Sequence, residues 1–181
     1  KKVDLASTPP LRQGVYPMWN PRGRYVAFST NDTAQSFFGG HGQPIEVYDQ
    51  SSDLMIYDTE TGRMLTDERF FSDARWETFP AWSPDGATLY FCSAEPRSMP
   101  LDRESVRYDL LRAEFDFATG ALGERVDTLY DSRTAGGSVS FPRVSPDGRY
   151  LMYTRADYGT FPVWHAEADL AVMDLCDGLE V

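Results

Sequence analysis

Apolar and aromatic residues fall in short runs divided by polar turns, and no long stretch keeps the three-to-four-residue rhythm of an amphipathic helix. Three runs, Arg24-Tyr25-Val26-Ala27-Phe28, Ala87-Thr88-Leu89-Tyr90-Phe91 and Arg149-Tyr150-Leu151-Met152-Tyr153, are rich in residues that fit a pleated, half-buried surface. Each predicts a strand. A second set of strand signals lies at 53–58, 109–116 and 169–174, each opening on Asp-Leu. Further strand signals follow at 63–66 and 122–129. The best helical stretch, 97–111, is flanked and interrupted by Pro96 and Pro100, which predicts a loop or a single helical turn there.

The strands repeat with their turns. Ser83-Pro84-Asp85-Gly86 and Ser145-Pro146-Asp147-Gly148 are matched more loosely by Asn20-Pro21-Arg22-Gly23. Their glycines, Gly23, Gly86 and Gly148, are spaced by 63 and 62 residues. Pro17-Met18-Trp19, Pro80-Ala81-Trp82 and Pro142-Arg143-Val144 precede them, and second turns close at Gly62, Gly120 and Gly178. Within the motif, the first side chain bonds the backbone two residues on. Pro21, Pro84 and Pro146 preset φ, and the glycine takes the left-handed conformation that closes a bulged hairpin. Arg22 stands where the other copies carry Asp85 and Asp147, so the position accepts either sign and reads as a structural turn.

Four short strands repeated in this way are the logic of a β-propeller blade. The expected fold is therefore all-β, built of four-stranded antiparallel blades, with about three blades here as part of a six- to eight-bladed propeller. Residues 1–14 form an N-terminal extension or edge strand, since Pro9 and Pro10 restrict pairing. The blades span 15–75, 76–137 and 138–181, the last incomplete. Because closed propellers have about four to eight blades, the remaining ones are expected from further chain or from a second copy.

A meander puts alternate connections on one face. The tight turns share one face, and the long loops between second and third strands share the other with the inter-blade connections. The long-loop face carries the candidate binding residues Phe37, Phe38, His41, Tyr48, Arg97, Tyr158, Trp164 and His165, with Trp76 and Arg133 from the connections between blades. Long loops on a rigid scaffold are where binding concentrates, and aromatics with arginine suit protein or ligand contact.

Composition narrows the function. The net charge of −11 argues against a nucleic-acid backbone as partner. No run approaches the roughly 18 to 20 apolar residues of a membrane span. Lys1-Lys2-Val3-Asp4 lacks the apolar core of a signal peptide, which says nothing about a trimmed chain. Cys92 and Cys176 have no metal-ligand spacing, and the two histidines, His41 and His165, have no clustered partners, so no metal and no cofactor are expected. Gly136-Gly137-Ser138-Val139-Ser140 lacks the final glycine of a nucleophile elbow, and no catalytic residue is assigned.

"PAWSPDGATLYF" (80–91) and "FPRVSPDGRYLMY" (141–153), each followed by the Asp-Leu strand and its glycine turn, resemble the PD40 (WD40-like) repeat of TolB-type propellers. The resemblance covers about 15–181. It implies a periplasmic or exported protein of the bacterial cell envelope, a non-catalytic platform that binds another protein or a small ligand. Related propellers cap prolyl-oligopeptidase-type serine hydrolases, which gives an alternative role as an accessory domain. A carbohydrate-binding or lyase propeller is a third.

Overall fold

The computed structural model describes residues 13–31, 36–38, 46–99, 101–159 and 165–181, with backbone alone at 36–38 and 46–48. Its strands are β1 (Gln13–Trp19), β2 (Tyr25–Asn31), β3 (Ser36–Phe38), β4 (Glu46–Tyr48), β5 (Ser52–Asp58), β6 (Arg63–Leu65), β7 (Trp76–Trp82) and β8 (Thr88–Ala94). After a single 3-10 turn, Arg103–Ser105, come β9 (Tyr108–Asp116) and β10 (Ala121–Tyr130). A one-turn helix α1 (Ser132–Ala135) leads to β11 (Ser138–Val144), β12 (Tyr150–Ala156) and β13 (Asp169–Asp174).

The chain is all-β, and its sheets are consecutive propeller blades. The first is ordered β1-β2-β5-β6, the second β7-β8-β9-β10 and the third β11-β12-β13, every pairing antiparallel. A bridge between Met173 and Glu180 starts a fourth position in the third blade. The long connection in the first blade carries the small β3–β4 hairpin, which the sequence did not signal. The central strand β7 packs against β1 on one side and β11 on the other, so the first strand of each blade is the innermost.

The tight turns keep the expected glycine conformation, but the first side chain bonds the backbone two residues on only at Asn20, which accepts from the Arg22 amide. The Ser83 and Ser145 hydroxyls accept instead from the Thr88 and Tyr150 amides five residues on. Gly23, Gly86 and Gly148 have φ of 98°, 70° and 76°, a region that side chains disfavour. Their amides close the turns onto the carbonyls of Asn20, Ser83 and Ser145 at 2.8–2.9 Å. Asp85 and Asp147 accept from the serine hydroxyl two residues earlier and from the amide two residues later. Those bonds hold both carboxyls below the ordinary aspartate range.

Alternation assigns each strand one face per neighbour. Tyr25, Ala27, Leu54 and Ile56 of the first blade meet Trp82, Leu89, Phe91, Ala113 and Phe115 of the second. Tyr90, Cys92, Leu110 and Tyr130 of the second meet Val139, Leu151, Tyr153 and Met173 of the third. Cys92 is fully buried here, and burial pushes its thiol far above the usual range, so it behaves as a small core residue. Trp76 corrects an expectation. It opens β7 and lies within the second core with 6% exposure, so it offers no binding surface. A large aromatic at a strand end is drawn inward when the neighbouring blade supplies apolar cover.

The looser first turn uses its departures to join the blades. Asn20, buried, donates from Nδ2 to the Gly86 carbonyl at 2.9 Å. Arg22 lies over the Phe117 ring, its guanidinium carbon 3.9 Å from the centroid. The Trp82 indole donates to the Met18 carbonyl at 3.0 Å, and the Tyr25 hydroxyl to the Phe117 carbonyl at 3.2 Å.

Candidate functional site

The innermost strands carry the same irregularity three times. Their registers shift between Val15 and Met18, Thr78 and Ala81, and Ser140 and Arg143. At each shift an aromatic residue precedes proline: Tyr16-Pro17, Phe79-Pro80 and Phe141-Pro142. Tyr16, Phe79 and Phe141 have φ of 54°, 55° and 51°, left-handed values that are outliers for bulky side chains. Proline cannot donate to the ladder, so the bulge falls where a hydrogen bond would be missing in any case.

The bulges turn the three rings onto one another. Centroids lie 4.9 Å apart for Tyr16 and Phe79, 4.3 Å for Phe79 and Phe141, and 5.7 Å for Tyr16 and Phe141. The last contact joins the first blade to the third, so the rings meet near the axis. Left-handed aromatics cost about 1–3 kcal/mol each, and each ring pair returns about 0.5–1.5 kcal/mol beyond its buried area. This cluster was legible as an aromatic–proline dipeptide recurring with the turns.

Beside it, toward the long loops, lies a buried polar network. The Tyr16 hydroxyl donates to Asp49 Oδ2 at 2.7 Å, and Asn31 Nδ2 to Asp49 Oδ1 at 3.3 Å. Tyr108 donates to the Asp49 carbonyl at 3.2 Å. Burial, then Asp49 and neighbouring groups including Glu77, hold the Tyr108 hydroxyl well above its usual range. Ser93 donates to Glu77 Oε1 at 3.0 Å and accepts from Arg75 Nε at 2.7 Å. Arg75 also donates to Asp109 at 2.9 Å, whose other oxygen accepts from the amide and hydroxyl of Ser132.

Glu77 is the unusual member. It is 2% exposed, the second residue of a fully buried strand, where the equivalent positions of the other blades carry Gly14 and Val139. Burial pushes its carboxyl up to about 7, opposed by the Ser93 hydrogen bond and the charge of Arg75. Glu77 Oε2, Ser29 Oγ, Asn31 Oδ1 and Ser52 Oγ are buried and make no hydrogen bond among the described residues. Strand alternation puts Ser29, Asn31 and Ser52 on the face of the first blade turned toward the second, and Glu77 on the face turned back.

The sequence-derived candidates distribute around this centre. Arg97 and Arg133 converge, both bonding the single carboxylate of Glu95 on the exposed rim. Tyr158 and His165 also come together, ring edge to face with centroids 4.7 Å apart, and His165 Nδ1 accepts from the Glu167 amide. Phe37, Phe38 and Tyr48 lie on the β3–β4 hairpin. His41 and Trp164 lie outside the described residues. Ser138, the nearest approach to a nucleophile elbow, is buried and accepts from the Tyr108 amide. Among the described residues, no group of three His, Cys, Asp or Glu is placed to hold a metal ion.

No protein-family model and no curated protein sequence matches the chain. Its fold is found in solved structures. It aligns with one of two prolyl endopeptidases studied for inter-domain dynamics in catalysis and specificity, at a TM-score of 0.58 and 14% identity over 93% of the chain. It aligns with a structure from Agrobacterium tumefaciens assigned as TolB, at 0.52 and 17% identity over 94% of the chain. The chain spans 21% of the first and 64% of the second. At these identities the likeness is one of fold, and the molecule is a set of β-propeller blades. No helix among the described residues is long and apolar enough to cross a membrane.

Proposed function

We propose that this chain is part of a non-catalytic, TolB-like propeller that works in the bacterial cell envelope as a binding scaffold, exported to the periplasm. Its partner is another envelope protein, docked on the long-loop face. The observation that carries this reading is the convergence of exposed Arg97 and Arg133 on Glu95, at the rim above a buried polar network. By contrast, Asp85 and Asp147 on the tight-turn face are engaged in their own turns. The fold likeness to TolB supports the scaffold role.

Site-specific photo-crosslinking tests it. A crosslinker at Arg97 or Arg133 is expected to label a discrete envelope protein, whereas one at Glu60 or Asp147 on the tight-turn face is not expected to label that same protein. Labelling of that protein from Glu60 or Asp147 alone would overturn the docking face.

The likeness to a prolyl endopeptidase supports a second reading, an accessory propeller of a serine hydrolase. A serine-directed fluorophosphonate probe applied to the complete gene product separates the two. Stoichiometric labelling in a segment outside these residues would replace the first reading with the second.

A further inference from the structure

The three blades share a backbone contact that makes their positions comparable. The amides of Thr59, Phe115 and Leu175 donate to the carbonyls of Arg24, Ala87 and Arg149, at 3.1, 2.8 and 2.7 Å. The registers agree: Tyr25 pairs with Asp58, Thr88 with Glu114 and Tyr150 with Asp174. In the first blade, Arg24 Nε and Nη2 grip both oxygens of Asp58 at 3.0 and 2.6 Å, and Arg24 reaches Glu60 at 3.3 Å. In the third, Arg149 Nε and Nη2 hold Asp174 at 3.0 and 2.9 Å. Both guanidinium carbons stand 4.8 Å from the centroid of the following tyrosine ring.

The second blade keeps an acceptor and lacks the cation. In ladder register Glu114 occupies the place of Asp58 and Asp174, while Asp116, two residues on, is engaged by its own turn; the arginine is Ala87 and the tyrosine is Thr88. Glu114 is exposed and has no ion-pair partner among the described residues. A cavity of about 460 Å³ opens there, lined by Ala87, Thr88, Glu114, Asp116, Leu122 and Glu124 among others. Gly123 leaves room, since a Cβ there would come within 3.3 Å of Glu114 Cβ. Of the nearby cations, Arg112 and Arg125 are both engaged by Asp127, and Arg69 by Asp67 and the backbone carbonyls of Leu122, Gly123 and Glu124.

We infer that this cavity is a docking socket for an arginine side chain presented by a partner protein. The incoming guanidinium takes the place that Arg24 and Arg149 fill in their own blades. Glu114 receives it, the acidic rim attracts it, and Ala87 leaves room for its methylene stem. The site is on the tight-turn face and is independent of the long-loop reading.

An NMR titration tests it, with the 15N-labelled chain and the peptides Gly-Gly-Arg-Gly-Gly, Gly-Gly-Lys-Gly-Gly and Gly-Gly-citrulline-Gly-Gly as probes. The arginine peptide is expected to shift the Glu114 and Gly123 amides saturably. The citrulline peptide, neutral but similar in shape, is expected to bind about tenfold more weakly or worse, since the charged bonds are lost. Ala87→Arg, which fills the socket from within, and Glu114→Gln are each expected to abolish the shifts. Three results would overturn the inference: no shift with the arginine peptide, equal shifts with lysine or citrulline, or shifts that survive in Ala87→Arg.

Discussion

The side-chain amide of Asn20, in the tight turn of the first blade, donates to the main-chain carbonyl of Gly86 in the tight turn of the second, at 2.9 Å. This contact locks the two blades and leaves no space over Gly86. A Cβ at Gly86 would lie 2.5 Å from Asn20 Oδ1, whereas one at Gly23 would meet nothing within 4 Å.

Both glycines have positive φ, so replacing either with alanine costs about 1 kcal/mol or more in backbone strain. Gly86→Ala is expected to lose about 1–2 kcal/mol beyond Gly23→Ala, because it also breaks a buried hydrogen bond. Chemical denaturation of the two variants measures the difference. In the double variant Asn20→Ala, Gly86→Ala the excess is expected to shrink, since the partner is already gone. Equal losses for Gly23→Ala and Gly86→Ala would contradict the lock.

Glu77 makes stability depend on pH in an unusual direction. Its carboxyl titrates near 7 when folded, against an ordinary value of 4.5. Between those limits the unfolded chain has released the proton and the folded chain keeps it, so stability falls as pH rises through the window. The loss approaches about 3 kcal/mol by the upper end. Asp58 acts oppositely. Arg24 holds its carboxyl well below the ordinary 3.8, so its contribution is lost only as pH falls below that value. Denaturation midpoints at pH 5 and pH 8 are therefore expected to converge in Glu77→Gln relative to the parent chain. A parent chain as stable at pH 8 as at pH 5, with no change in the variant, would contradict the assignment.

The left-handed aromatics invert an ordinary ranking. Glycine in a strand usually costs about 0.5–1 kcal/mol more than alanine. At Phe79, where φ is 55°, glycine relieves strain that alanine retains. Both variants lose the buried ring, but Phe79→Gly is expected to be no less stable than Phe79→Ala. Thermal unfolding of the pair checks it, and the usual order would mean that the bulge relaxes once the ring is removed.

Much of this architecture could be read from the chain. The glycine of each tight turn needs a left-handed conformation, so Gly23, Gly86 and Gly148 recur and set the period. The strands beside them follow because alternation is a local pattern. What could not be read depends on contacts between blades. Trp76 looked like a loop residue because nothing local says that Val139 and Tyr153 border the core that covers it. Asn20 and Arg22 looked like a degenerate turn, yet they bond the second blade. Glu77 is a single acidic residue in an apolar strand, and only the neighbouring blade makes it buried. The socket over Glu114 becomes visible only when Ala87 is compared with Arg24 and Arg149 in register.

The central claim is that these blades converge on one axis and form a rigid scaffold, and the ring contact between Tyr16 and Phe141 tests it most directly. Those residues belong to the first and third blades, and their ring centroids lie 5.7 Å apart. Proton NOE measurements on a chain with selectively labelled aromatics are expected to give cross-peaks from the Tyr16 ring to both Phe79 and Phe141. Cross-peaks to Phe79 alone, or to neither, would contradict the account.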